Sequence, residues 1–357
     1  MPRDFYSEYD SAATIGAIAD ALRNSGHRVE LVEADAHLPS WFLSRSVDVV
    51  LNIAEGSTGR HRESQVPAVL EALDIPFTGS SSLTLALALD KTRSKQIFAY
   101  EGIPTPAWQL FRDADAPLSA GLRFPLIVKP NHEGSAKGIL KESVVEDEPS
   151  LRRQVRRVLE QYRQAALVEE FIDGLELTVG VLGNDDARAL PILEIDFSGC
   201  QQSGEFFYSW RMKEYQGDAA QGLDPRFHCP ARLSAELTAK VQDVALRAHR
   251  ALGCRDLSRT DIRLHADGTP FILEVNPLPG LDPHESNYPI MSAAMGMTHT
   301  ALINQLVELA VGRYRERAAR TQELSPSLSA SQSAGIMTGQ LVGSRTAPWV
   351  WDSRRAQ

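Results

Sequence analysis

No apolar run in these 357 residues approaches the length of a membrane span, and the opening MPRDFYSEYD has no signal-peptide core. A cytoplasmic protein is expected. Cysteine is scarce: Cys200, Cys229 and Cys254 are odd in number and lack the spacing of metal ligands, which excludes a disulfide framework or zinc site and leaves buried thiols. Positive charge is also short. A formal net charge of −9 leaves no basic stripe for a run of phosphates, so a nucleic-acid partner is not expected, while small anions stay open to local charge. The chain has no GK[ST] phosphate loop and no convincing covalent nucleophile. What it has, 43% apolar and 23% charged residues, is the composition of a globular enzyme long enough for two or three lobes.

Helical apolar spacing runs from Ser11 to Asn24 and ends at Gly26, and His27 to Val32 and Val47 to Asn52 read as buried strands of an α/β unit. Helices are expected over Gln65 to Leu73 and Leu83 to Tyr100, the latter stopped by Pro104 and Pro106. A strand at Pro125 to Lys129, the loop PNHEGSAKG, a basic surface helix from Pro149 to Ala166 and a strand at Leu167 to Phe171 follow. Strands at Leu177 to Leu182 and Leu190 to Asp196, a helix from Ser234 to Leu252, a hairpin and a helix from Thr298 to Ala310 complete the periodic part. Beyond Arg320 the Ser-rich, aperiodic sequence predicts a disordered tail. Doubly wound domains normally open on a strand, and Ser7 to Thr14 already reads as loop and helix, so an upstream extension ending in a Gly-containing turn is expected.

The hairpin near residues 258–280 is the most informative segment. Asp267-Gly268 suits a two-residue type I′ turn between alternating apolar residues. That register sets Asp261 opposite Glu274 and Arg259 opposite Asn276, with Ile262, Leu264, Phe271, Leu273 and Val275 on the other, core face. Facing carboxylates repel, and a hard cation taking oxygens from both is a usual remedy. Asn276 adds a neutral oxygen and Arg259 an anion-binding fork, so Asp261, Glu274 and Asn276 are the expected ligands of a magnesium-phosphate site. Upstream, the loop from Asn131 to Gly138 follows Lys129 with small residues whose N–H groups could close over phosphate, and Ser135 is a further donor.

Six segments in order, IPFTGSSSLTLALALDKTRSK, FPLIVKPNHEGSAKG, VEEFIDGLELTVGVLG, FHCPA, LGCRDLSRTDIRL and FILEVNPLPGL, resemble the ATP-grasp superfamily. The likeness is to carboxylate-amine ligases of the D-alanine–D-alanine ligase type, and it runs from about Ser7 to Ala310. It implies an α/β (α+β) ATP-grasp fold, with a Rossmann-like pre-ATP-grasp domain over residues 1–90, lobes over 91–173 and 174–320 that clamp ATP, and a tail over 321–357. It also implies ATP, magnesium (or manganese in its place), amino-acid substrates and a homodimer, without nucleic acid or membrane. Lys91 and Lys129 would contact ATP, with Ser135 in the flap over the phosphates. Glu169, Glu170, Phe171 and Ile172 would line the adenine pocket, Glu176 would hold ribose hydroxyls, and Lys213 would reach the phosphates. Arg259 and the N–H near Gly280 would stabilise the tetrahedral oxyanion, and Glu8 would act from the N-terminal loop. Similar enzymes phosphorylate a carboxylate with ATP and let an amine displace the phosphate, giving a dipeptide or related amide and ADP. A non-catalytic nucleotide-binding regulator of this fold is the alternative, and it would have lost the metal ligands.

The sequence departs from the family at the substrate end. Glu55 stands where a histidine is usual, Arg60 and His61 replace an acidic pair, and Glu214 replaces a tyrosine. Added cationic groups at Arg60, His61 and Arg62 predict a polar or acidic amino acid as the better acyl donor than D-alanine.

Overall fold

The structure, a computed structural model, describes Asp4 and residues 7–331, with side chains through Arg320 apart from Ala219. Helices α1 (Ala12–Arg23), α2 (Leu38–Leu43), α3 (Gln65–Ala72), α4 (Ser82–Leu89) and α5 (Lys91–Tyr100) come first. Strands β1 (Trp108–Phe111), β2 (Leu126–Pro130) and β3 (Val144–Val145), helix α6 (Glu148–Gln161) and strand β4 (Ala166–Glu170) follow. Then come β5 (Gly174–Leu182), β6 (Arg188–Ala189), β7 (Leu193–Asp196), α7 (Trp210–Glu214), β8 (Arg226–His228) and α8 (Ala235–Ala251). The strands β9 (Leu257–His265) and β10 (Pro270–Asn276) and the helices α9 (Asn287–Ala294) and α10 (His299–Ser331) complete the described chain. Residues through Arg313 form one compact unit, and Tyr314 begins a second.

Two antiparallel sheets carry the architecture. The first runs β1-β4-β2-β3; the second runs β10-β9-β5-β7-β8, with β6 on β5. Each buries one face under a helix because its strands alternate. Leu126, Val128, Ala166 and Val168 pack under Leu151, Val155 and Val158 of α6. Leu177, Val179, Ile262, Leu264, Ile272 and Val275 pack under Val241, Val244, Ala245 and Ala248 of α8. The intervening positions, among them Lys129 and Glu169 on one sheet and Glu176, Thr178 and Asp261 on the other, are left for polar chemistry.

Several expectations need correction. The expected helix from Leu83 to Tyr100 is two helices, because Asp90 turns extended and accepts the Arg93 N–H as the N-cap of α5. The segments at His27–Val32 and Val47–Asn52 form no ladder; a single parallel bridge joins Val50 to Phe77. Val29, Val49 and Leu51 still pack against the core under α10, so the apolar pattern reported burial, while strand pairing needs a neighbour that these segments lack among the described residues. The tail expected beyond Arg320 is helical to Ser331, as the last part of α10; residues 332–357 lie outside the described residues. Among the cysteines, Cys200 and Cys254 are buried and Cys229 half-buried, all three free.

The hairpin departs from the expected turn in two places that cancel. His265 and Thr269 close the loop, since the His265 N–H donates to the Thr269 carbonyl at 3.0 Å, so three residues rather than two make the turn and Gly268 takes φ +80°. A three-residue hairpin wants a left-handed glycine at that position. The ladder then pairs Phe271 with Arg263 and Ile272 with Ile262, one step off the expected register. A bulge between Ile272 and Glu274 restores it, so Asp261 does face Glu274 and Arg259 does face Asn276. Ile272 is therefore core, while Phe271 and Leu273, expected there, are only half-buried.

Asp256 is a polar anchor of this unit. Fully buried and at φ +62°, it accepts the Gly79 N–H at 2.8 Å and the Asn184 amide at 3.0 Å, and pairs with Arg313 at 2.7 Å. Removing one partner of a buried pair leaves the other uncompensated, so Asp256→Ala is expected to cost about 3 kcal/mol. Chemical denaturation checks this; an unchanged midpoint would contradict it.

Candidate active site

The polar face of the first sheet carries a charge centre. Glu169 on β4 and Lys129 on β2 share that face, and the Glu169 carboxylate is ion-paired with both Lys129 and Lys95 of α5. All three side chains are at most 6% exposed. Burial alone would raise the Glu169 carboxyl, but Lys129 and Lys95 hold it below the usual carboxylate range. Burial takes the Lys95 ammonium down to about 8 despite Glu169. Two cations share one anion, so the centre carries a net positive charge with few ways to be satisfied from within.

Lys95 was not among the expected ligands. The signal was available in DKTRSK, where Lys91 and Lys95 stand four apart and share a helix face. Lys91 instead serves the hairpin: its ammonium pairs with Glu274 at 2.8 Å and donates to the Glu133 carbonyl. Burial would raise the Glu274 carboxyl, but Lys91 and then Lys129 bring it down to about 2.

Across from Glu274, Asp261 receives the Arg259 guanidinium at 3.0 and 2.9 Å and the Thr178 hydroxyl at 2.7 Å. Asn276 accepts the Leu278 N–H through its amide oxygen at 3.0 Å. The donor set is carboxylate and amide oxygen only, which suits a hard cation such as magnesium. Both carboxylates face each other and each is balanced by a cation of the chain, with oxygen lone pairs left over, so the residues fit the metal. Among the described residues no three His, Cys, Asp or Glu side chains come together as a metal site; with two acids, the rest of a coordination sphere falls to Asn276, phosphate oxygens and water. No hydrogen bond ties Gly280 or Ile172 to this cluster, and the Gly280 N–H has no protein acceptor among the described residues.

The N-terminal loop and the loop after β2 are stitched together. Glu8 accepts the Arg62 guanidinium at 2.7 and 2.8 Å, the Lys137 ammonium at 2.9 Å and the Gly134 N–H at 2.9 Å. Burial would raise its carboxyl, and Arg62 and Lys137 lower it. The loop turns at Ser135 and Ala136, both left-handed at φ +50° and +55°. Lys213 of α7 donates to the Ser135 hydroxyl at 2.8 Å, which brings together two of the expected phosphate ligands.

Arg62 corrects the substrate expectation. It is buried, bound to Glu8, and also donates to the His132 carbonyl at 3.0 Å. It is therefore not a free cation, and Arg60 and His61 are exposed. The local sequence showed positive charge but not its long-range partner, 54 residues away.

At the other end of the first sheet, Glu170 accepts the Arg123 N–H at 3.2 Å, and the Phe171 ring meets Phe207 edge-on and lies under the Arg263 guanidinium. Glu176 of β5 pairs with Arg263 at 2.9 Å and accepts the Tyr208 N–H; burial raises its carboxyl.

The model of the D-ala D-ala ligase C-terminus matches residues 97–308. A D-alanine–D-alanine ligase of Synechococcus sp. (strain JA-3-3Ab) is 37% identical over 311 residues, covering 85% of this chain and 90% of its own. An uncharacterized protein of Sinorhizobium fredii is 35% identical over 84% of this chain and 89% of its own. Among solved structures, the ATP complex of the D-alanine–D-alanine ligase from Bacillus anthracis superimposes with a TM-score of 0.69 at 25% identity, covering 87% of this chain and 97% of that one.

Proposed function

We propose residue roles from one premise: the chain belongs to the D-alanine–D-alanine ligase family and has its ATP-grasp fold. It is an ATP- and magnesium-dependent carboxylate-amine ligase that forms ADP. Lys95 and Lys129 hold the phosphates, because a centre with two ammoniums and one carboxylate takes an anion readily. Lys213 and Ser135 close over the phosphates from two loops. Glu170, Phe171 and Ile172 line the base, and Glu176 takes the ribose hydroxyls. Asp261, Glu274 and Asn276 would hold magnesium, which when bound would supply neutralising charge at the transferring phosphoryl group. Lys91 keeps Glu274 ionised for that task. Arg259 and the Gly280 N–H stabilise the oxyanion that forms when the amine attacks the activated carbonyl. Glu8 acts through the loop it pins, by its bond to the Gly134 N–H. No protein nucleophile is needed, because the substrate carboxylate attacks the terminal phosphorus and the amine displaces phosphate.

The observation that carries these roles is the facing pair Asp261 and Glu274, each matched to its own cation and tied through Lys91 to the loop after β2. Phosphate release measured with paired amino acids tests them. Release that needs both amino acids and magnesium is expected, and ATP cleavage indifferent to either would overturn the reading. A homodimer is proposed on the family likeness and is checked by light scattering. Among the described residues no helix is long and apolar enough to cross a membrane, and we place the enzyme in the cytoplasm, where ATP is supplied.

A further inference from the structure

The floor beneath the N-terminal loop holds more carboxylates than cations. Its cations are engaged: Arg62 and Lys137 with Glu8 and Glu133, Lys91 with Glu274, and Lys213, whose charge also reaches Glu55, with the Ser135 hydroxyl. Glu55 and Glu63 are left over. Among the described residues neither carboxylate makes a hydrogen bond or ion pair, although the whole Glu63 residue is only 7% exposed. Glu63 sits in the 3-10 turn Arg62–Ser64 that leads into α3. Gly56 packs so closely on the Arg62 backbone that a Cβ there would lie 2.4 Å from the Arg62 carbonyl oxygen, which brings the adjacent residues Glu55 and Glu63 together, and the charges that reach Glu63 are Arg62, Glu8, Lys91 and Glu274. Those acting on Glu55 are Glu63, Glu8, Arg62 and Asp10.

A buried carboxylate without a partner, as at Glu63, is costly, and the half-buried Glu55 beside it adds repulsion. The protein alone meets this by protonation: burial and the neighbouring carboxylates take Glu63 up to about 7 and raise Glu55 well above the usual range. A bound cation would meet it better. An amino acid's α-ammonium matches one carboxylate and leaves the other; a second positive charge on the same molecule matches both.

We infer that one of the two amino acids joined by this enzyme carries a cationic side chain, a primary amine or a guanidinium, received between Glu55 and Glu63. This rests on the ligase reading for the existence of an amino-acid subsite, and it replaces the acidic substrate that the arginines of the sequence suggested.

The test pairs calorimetric binding with phosphate release, using both enantiomers of lysine, ornithine, arginine, alanine and aspartate. A basic amino acid is expected to bind and turn over at least about tenfold better than alanine or aspartate, the size of one charge-assisted contact. Glu63→Gln and Glu55→Gln should each reduce that selectivity about tenfold, with part restored in Glu63→Asp. Preference for alanine or aspartate, or basic selectivity untouched in both Gln variants, overturns the inference. Phosphate release from neutral pairs that no basic amino acid exceeds would do so while leaving the ligase reading intact. Selective, Glu63-dependent binding of basic amino acids without phosphate release from any pair would keep the subsite and overturn the ligase reading; neither binding nor release would overturn both.

Discussion

Glu274→Gln is expected to lower magnesium-dependent turnover by about a hundredfold or more, the scale seen when a group that stabilises transition-state charge is removed. The side chain keeps its shape but loses the anion. Two consequences follow from its position: the proposed magnesium site loses one of its two acidic ligands, and Lys91 loses the carboxylate it meets at 2.8 Å. The fold should persist, because Glu274 lies on the polar face of β10 while the neighbouring core positions Ile272 and Val275 are untouched. Phosphate release measured across a magnesium titration checks this. Full activity at an unchanged magnesium requirement would remove the metal assignment.

Lys95→Met should act on nucleotide binding instead. The methionine fills similar volume, Glu169 keeps Lys129 as partner, and the centre changes from net positive to neutral. Loss of a charge-assisted phosphate contact of about 2 kcal/mol corresponds to a rise of roughly thirtyfold in the KM for ATP. Lys91→Met, by contrast, should change the magnesium requirement and kcat more than the KM for ATP, because Lys91 faces the hairpin carboxylates. If the two variants behave alike, or if Lys95→Met moves the KM for ATP less than twofold, the division of work between the two lysines is wrong.

What could be read from the sequence depended on how local the cause was. Local pattern located β2, β4, β5, β7, the hairpin strands β9 and β10, and the helices α6 and α8, since their determinants lie within a few residues, while the short strands β1, β3, β6 and β8 were not expected. The facing of Asp261 and Glu274 was reached through a turn one residue too short, and a bulge at Leu273 made up the difference. A bulge has little local sequence signature, so the agreement at these positions did not extend to Phe271 and Leu273. Lys91 and Lys95 share a helix face, and only the tertiary structure separates the lysine that meets Glu274 from the one that meets Glu169. Arg62 is the clearest case of distance: its charge was legible, while its neutralisation by Glu8 across the fold was not.

The central claim, that a carboxylate is activated by phosphoryl transfer before the amine attacks, is tested most directly by oxygen tracing. With an amino-acid substrate labelled with 18O in its carboxylate, the attacking oxygen stays with phosphorus when the amine displaces phosphate. The expected result is one labelled oxygen per released phosphate, with ADP and amide formed in equal amounts. Unlabelled phosphate, or label found in AMP, would contradict it.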